Sequence, residues 1–161
     1  MTISALTLPE GVILAKDETA ARAEEFIRSN VLPFLKLKLV LTNKRVAGQK
    51  ANTFLGVIPV GTEKVSYPLA NIASVYTSTK ISVIALLLGL LFAIGGVLAL
   101  SQGAGALVTI AIGLLFLVNC YSAVIAIQNN AGSTIKHRIS IFNKGLADSF
   151  CEEVNTVIAG R

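Results

Sequence analysis

The chain has 161 residues, 53% of them hydrophobic, with 14 Lys and Arg against 9 Asp and Glu and a formal net charge of +5. Its mean hydropathy of +0.71 misleads as an average: residues 81–127 hold no Asp, Glu, Lys or Arg, and every charge lies in the 114 residues on either side. Two cysteines without CxxC spacing and a single histidine argue against a disulfide framework or a Cys/His metal cluster, leaving Cys120 and Cys151 as unpaired thiols of a reducing compartment.

The first 15 residues offer no basic segment ahead of an apolar run, and Pro9-Glu10-Gly11 interrupts that run, so no secretory signal peptide is expected. Residues 11–16 read as a short strand. Asp17 is placed to cap a helix over residues 18–29, with Ala20, Ala23 and Ile27 on one face and Arg28 in the last turn. Asn30 and Pro33 end it. The period then changes: Leu35, Leu37, Leu39 and Leu41 alternate with Lys36, Lys38 and Val40, which predicts a strand over 34–42 with one wet face. Thr42-Asn43-Lys44-Arg45 makes a tight turn. Residues 46–49, 53–60 and 64–68 are further short strands, punctuated by Gly48, Gly56 and Gly61. Another turn at residues 68–71 leads into a β-rich run over 72–79.

The uncharged stretch follows. It is apolar all round rather than on one stripe, and it is long enough for two crossings of about 20 residues each. Ser101-Gln102-Gly103-Ala104-Gly105 supplies a polar, Gly-rich break near its middle. The expectation is a transmembrane helical hairpin, with helices over about 81–100 and 105–123. Lys80 precedes it, Lys136, His137 and Arg138 follow it, and its turn is uncharged. The positive-inside rule then predicts a two-helix, multi-pass protein of the plasma membrane with both termini cytoplasmic. Beyond the hairpin, residues 124–128 are β-like, Asn129-Asn130-Ala131-Gly132 is a hairpin turn, and 134–142 alternates again. Leu146, Phe150, Val154 and Val157 or Ile158 recur at helical spacing, which predicts a closing amphipathic helix over 144–159. The strands after the hairpin must complete the sheet begun before it, since two strands alone are marginal in water.

Leu39-Val40-Leu41-Thr42-Asn43-Lys44-Arg45-Val46, Phe54-Leu55-Gly56-Val57-Ile58-Pro59-Val60-Gly61 and Tyr67-Pro68-Leu69-Ala70-Asn71-Ile72-Ala73-Ser74-Val75 together resemble the bacterial pleckstrin-homology-like (PH-like) domains. The resemblance covers about residues 10–80 and 124–161. It implies an α+β fold, a PH-like open β-barrel or sandwich with a C-terminal helix, here interrupted by the two-helix transmembrane hairpin. Residues 1–80 and 124–161 would be the two parts of one cytoplasmic domain, and 81–123 the hairpin. Such domains have no established common activity, so function is argued from the residues.

Lys36, Lys38, Lys44, Arg45 and Lys50 form the most suggestive polar feature, open to two readings: contact with anionic lipid or a partner, or simple orientation of the hairpin. Orientation is the simpler. Ala85, Gly89 and Ala93 repeat at four-residue spacing and Gly113 answers them from the second helix, a pattern that lets helices approach closely. No nucleophile elbow, zinc-protease pair, phosphate-cradling loop or paired carboxylates accompany them, so no catalytic residue, cofactor or metal is assigned. Nucleic acid is not an expected partner, because the basic run lacks interleaved aromatics. The function expected is a non-enzymatic, membrane-anchored PH-like interaction module that binds a protein partner or the anionic membrane surface. The alternative is an accessory or assembly subunit of a multi-subunit membrane complex, docked through the hairpin.

Overall fold

We describe residues 12–54 and 58–160 of the computed structural model, and the backbone alone at 54, 58, 59 and 102. Leucines at alternate positions turn one face of β2 (Lys36–Thr42) inward: Leu37, Leu39 and Leu41 are fully buried while Lys36 and Lys38 ride the opposite face. β2 lies between β1 (Ala20–Ile27) and β3 (Arg45–Phe54), and β3 pairs with β4 (Ile58–Pro68), every pair antiparallel. A 3-10 turn at Leu69–Asn71 leads into a second antiparallel sheet of β5 (Ile72–Ile81), β6 (Tyr121–Asn129) and β7 (Thr134–Ser140), with β6 in the middle. Between β5 and β6 the chain leaves as α1 (Val83–Leu98) and returns as α2 (Gly105–Cys120). The β5–β6 ladder runs right up to the foot of this excursion, where Ile81 faces Tyr121. A third helix, α3 (Lys144–Ala159), closes the chain.

One core joins the two sheets and α3. Phe26 of β1, the three leucines of β2, Val75 of β5, Ile125 of β6, Ile139 of β7 and Phe150 of α3 all belong to it. Phe26 and Phe150 meet edge to face with ring centres 5.8 Å apart, an arrangement worth about 1 kcal/mol beyond the area buried. Polar anchors fix where α3 lies. Arg22 of β1 reaches Glu153 at 2.9 Å and the Ser149 hydroxyl at 2.9 Å. Asn155 accepts from the Val75 N–H at 2.9 Å and donates to the Val75 carbonyl at 2.7 Å. Its amide thus stands in for a neighbouring strand at the open edge of β5. Thr77 donates to the Asp148 carboxylate, which holds that group, with help from Lys144, below the usual carboxylate range.

Several expectations are corrected. The helix expected over 18–29 is the strand β1, because Phe26 finds the core and residues 22–27 find partners along the whole of β2. Local alanine spacing loses to a sheet ladder with a leucine face beside it. Asp17 is not a cap; it sits in a turn at φ 63°, a conformation Asp tolerates better than most residues. The strand expected over 11–16 is absent from residues 12–16, and Gly11 lies outside the described residues, as does the segment read for a signal peptide up to that point. The three short strands expected over 46–68 are two long ones, β3 and β4, with residues 55–57 (Gly56 among them) outside the description. Gly48 does not punctuate. It allows close backbone approach, since a Cβ there would lie 2.3 Å from the Lys38 carbonyl oxygen.

The largest correction concerns the membrane. The fold class is α+β, with two sheets and three α-helices among the described residues, but no helix is long and apolar enough to cross a membrane. The apolar hairpin does form, yet each of its helices has 16 residues, a rise of about 24 Å against a hydrocarbon layer of about 30 Å. The expected transmembrane hairpin is therefore overturned, and with it the expected multi-pass placement in the plasma membrane with two cytoplasmic termini. The reason lies at the hairpin's foot. Ile81 and residues 121–123, counted as helical from their hydropathy, belong to β5 and β6, whose ladder satisfies their backbone groups better than frayed helix ends would.

Candidate functional site: the hairpin and its foot

Small residues bring α1 and α2 together. A Cβ at Gly113 would lie 2.5 Å from the Ala93 nitrogen, one at Gly89 2.8 Å from Leu117, and one at Gly96 2.6 Å from Ile110. Gly89, Ala93 and Gly113, read from the sequence as a helix-packing stripe, thus pack against the other half of the same hairpin; Ala85 is half-buried one turn before Gly89. Phe92 and Phe116 stack across the pair with ring centres 6.1 Å apart. The outward residues are another matter. Ile84, Leu87, Leu91, Ile94 and Leu98 on α1, and Leu107, Val108, Leu114 and Leu115 on α2, are all more than half exposed. Scattered apolar residues are normal on a protein surface, but a continuous apolar surface of this extent marks an interaction site.

The foot of the hairpin is polar. Ser82 caps α1 by accepting from the Ala85 N–H at 3.4 Å, and its own N–H donates to the Cys120 carbonyl at 2.8 Å. Carbonyls at the end of α2, which have no partner within the helix, are taken up from outside. Asn30 in the β1–β2 loop donates to Val118 at 2.7 Å and to Tyr121 at 2.6 Å, and Arg138 of β7 donates to Asn119 at 2.6 Å. The Asn30 oxygen accepts from Ser140 at 2.7 Å and from the Ile141 N–H at 3.0 Å, so one side chain ties the loop, the hairpin and β7. Sequence reading took Asn30 only as a helix stop; its partners are about 90 and 110 residues away.

The basic residues singled out from the sequence are not gathered into one surface. Lys36 and Lys38 share Glu25 of β1 at 2.6 and 3.6 Å, and Lys36 leads the causes that hold that carboxyl below its usual range. Lys50 pairs with Glu63 at 3.0 Å, and Lys44 donates to the Lys16 carbonyl at 3.1 Å. Arg45 is structural: its guanidinium grips the buried Glu18 at 2.8 Å and 3.0 Å. That grip, with hydrogen bonds from the Ala15 N–H and the Thr42 hydroxyl, overrides burial and lowers Glu18 to about 2. His137 of β7 is buried and shares a 3.0 Å hydrogen bond with Tyr67 of β4, linking the sheets. Burial first, then the charges of Lys50 and Arg28, depress it to about 4, with Glu63 opposing. Cys151 is buried and its thiol pushed up to about 12, chiefly by burial and secondly by Asp148.

Two arginines that the sequence placed only at a helix end and beyond the hairpin, Arg28 and Arg138, stand apart from these pairs. Arg28 and Arg138 both border a small concavity at the foot, and among the described residues neither has a carboxylate within ion-pair distance. Sequence spacing had no means of finding them, since they lie 110 residues apart and meet only because β1 and β7 flank the hairpin. No family model, curated protein or solved structure matches the chain, so no known protein identifies the PH-like family its motifs resemble.

Proposed function

We propose that the chain is a non-enzymatic interaction module whose hairpin enters the apolar layer of an anionic lipid surface from one side, without crossing it, while the two sheets and α3 stay at the surface. One observation carries the reading. Large apolar side chains are exposed on the outward faces of both helices, and no charged side chain interrupts them. A protein groove covers one side of a hairpin; outward faces that are apolar on both helices ask for an apolar medium. The foot suits the boundary of such a layer. Tyr121 and Lys80 are exposed there and Arg138 stands beside them, the residue types favoured where hydrocarbon meets head groups. The alternative of docking by the small-residue stripe has less support, because the hairpin uses Gly89, Ala93 and Gly113 internally.

Depth quenching tests this. In a Cys120→Ala background, buried Cys151 stays unreactive and a fluorophore is placed at Leu91, Leu114 or Glu152. Anionic vesicles of phosphatidylglycerol and phosphatidylcholine with acyl-chain bromines should quench the first two labels and not the third. A cysteine at Ser101 should escape an impermeant thiol reagent sealed inside the vesicles. Unquenched hairpin labels would end the proposal.

A further inference from the structure

Two concavities meet at the foot of the hairpin and share Ser29 and Asn119. The first, of about 130 Å³, is polar and is lined by Arg28, Ser29, Leu35, Thr53, Asn119 and Arg138. The second, of about 250 Å³, runs along α2 and is lined beyond the shared pair by Val31, Leu32, Ile112, Leu115 and Phe116. The cleft therefore passes from cationic to apolar across two side chains, Ser29 and Asn119, which are themselves joined by a hydrogen bond of 3.3 Å.

Among the described residues no carboxylate pairs with the cationic end. The other described arginines, Arg22 and Arg45, each hold a carboxylate, whereas Arg28 and Arg138 do not. Arg28 spends one N–H on the Ala51 carbonyl and Arg138 one on the Asn119 carbonyl, and each guanidinium has five to offer. Glu63, whose charge reaches Arg28, is engaged by Lys50. Two cations sharing one concavity repel, and an oxyanion between them would turn that repulsion into paired, charge-assisted hydrogen bonds. A phosphate matches the planar donor fork of a guanidinium.

We infer that this joined cleft binds one phospholipid molecule, its phosphate held between Arg28 and Arg138 and one acyl chain lying along Val31, Leu32, Leu115 and Phe116. The inference rests on the reading that the hairpin enters a lipid layer, which would bring the foot to the depth of the phosphates. It adds a defined stoichiometric site to a general attraction.

The test uses the full chain in a maltoside detergent, which carries no phosphate. It is titrated with dihexanoyl phosphatidic acid, glycerol 3-phosphate and inorganic phosphate, with binding read by calorimetry. Phosphatidic acid should bind at least about tenfold tighter than glycerol 3-phosphate, because its chains have an apolar seat. Arg28→Gln with Arg138→Gln should weaken phosphatidic acid by about a hundredfold, roughly tenfold for each charge-assisted pair lost. Leu115→Trp occupies the apolar half from an exposed position that leaves the fold undisturbed. It should bring phosphatidic acid down to the affinity of glycerol 3-phosphate while inorganic phosphate is unaffected. Equal affinities for the two glycerol phosphates in the parent protein, with Leu115→Trp silent, would leave an anion site and overturn the lipid. Unchanged phosphatidic acid binding in the double variant, with acyl-chain quenching at Leu91 retained, would overturn the cleft and leave insertion standing. Charge-dependent phosphatidic acid binding in detergent without quenching in vesicles would support the cleft and overturn insertion.

Discussion

The β domain and the hairpin are both rich in leucine, isoleucine and valine, and they treat those residues in opposite ways. Leu37, Leu39 and Ile125 are 0% exposed, whereas Leu91 is 67% and Leu98 77% exposed. In the domain, apolar area leaves water at about 25 cal/mol per Å², which is the main favourable term of folding. In the hairpin many leucine, isoleucine and valine side chains face outward, and the helices are joined by glycine and alanine backbones in close contact, a mode of association that dispersion and backbone proximity can sustain without burial from water. Apolar content alone therefore says nothing about where stability resides. Packing decides it.

The largest expected effect tests that contrast directly. Phe150→Ala removes the aromatic partner of Phe26 from the core and should cost about 3–5 kcal/mol in urea unfolding. Leu98→Ala, at the exposed end of α1, should shift the same curve by less than about 0.5 kcal/mol. Comparable losses from the two would show that the hairpin is covered by protein in the folded chain. Next, Gly113→Val drives a side chain into the Ala93 backbone and should cost about 1–3 kcal/mol of local stability. Hydrogen exchange should quicken in α1 and α2 while β5 and β6 stay protected, because β6 is paired along its length with β5 on one side and β7 on the other. Faster exchange throughout β6 would mean that the two regions unfold as one.

Acid separates the two regions as well. His137 is neutral in the fold, with a depressed value of about 4 against 6.5, so the unfolded chain binds the extra proton between those values. Stability is then complete above about pH 6.5 and falls as pH drops toward 4, by about 3 kcal/mol from this group. Glu18, lowered from 4.5 to about 2 by Arg45, adds a further loss below pH 4.5. His137→Gln, which can still bond Tyr67, should flatten the first segment of the pH–stability curve and leave the second. Described residues of the hairpin include no carboxylate or histidine, so its helical circular dichroism should outlast the near-ultraviolet signal of the β domain. Simultaneous loss of both would contradict the separation.

Periodicity in the sequence settled the strand β2, the turns at residues 42–45, 68–71 and 129–132, and α3 over residues 144–159, the last with the bounds observed. These segments are legible because their apolar spacing, 2 in β2 and 3.6 in α3, agrees with the surface each buries. The uncharged run likewise announced two helices and the turn between them, and Gly89, Ala93 and Gly113 announced their own contact. Tertiary structure alone decided the rest. Residues 18–29 became a strand because β2 offered a ladder and the core a place for Phe26, and Ile81 and Tyr121 were drawn from the helices into paired strands, which left each helix too short to cross a membrane. The cleft at the foot was wholly hidden, since Arg28, Asn119 and Arg138 are distant in the chain and converge only when the β1–β2 loop, the end of α2 and β7 meet. Local periodicity records which face a segment buries; it carries no record of which distant segment will supply the partner, because that choice is made by hydrogen-bond satisfaction and packing among elements already formed.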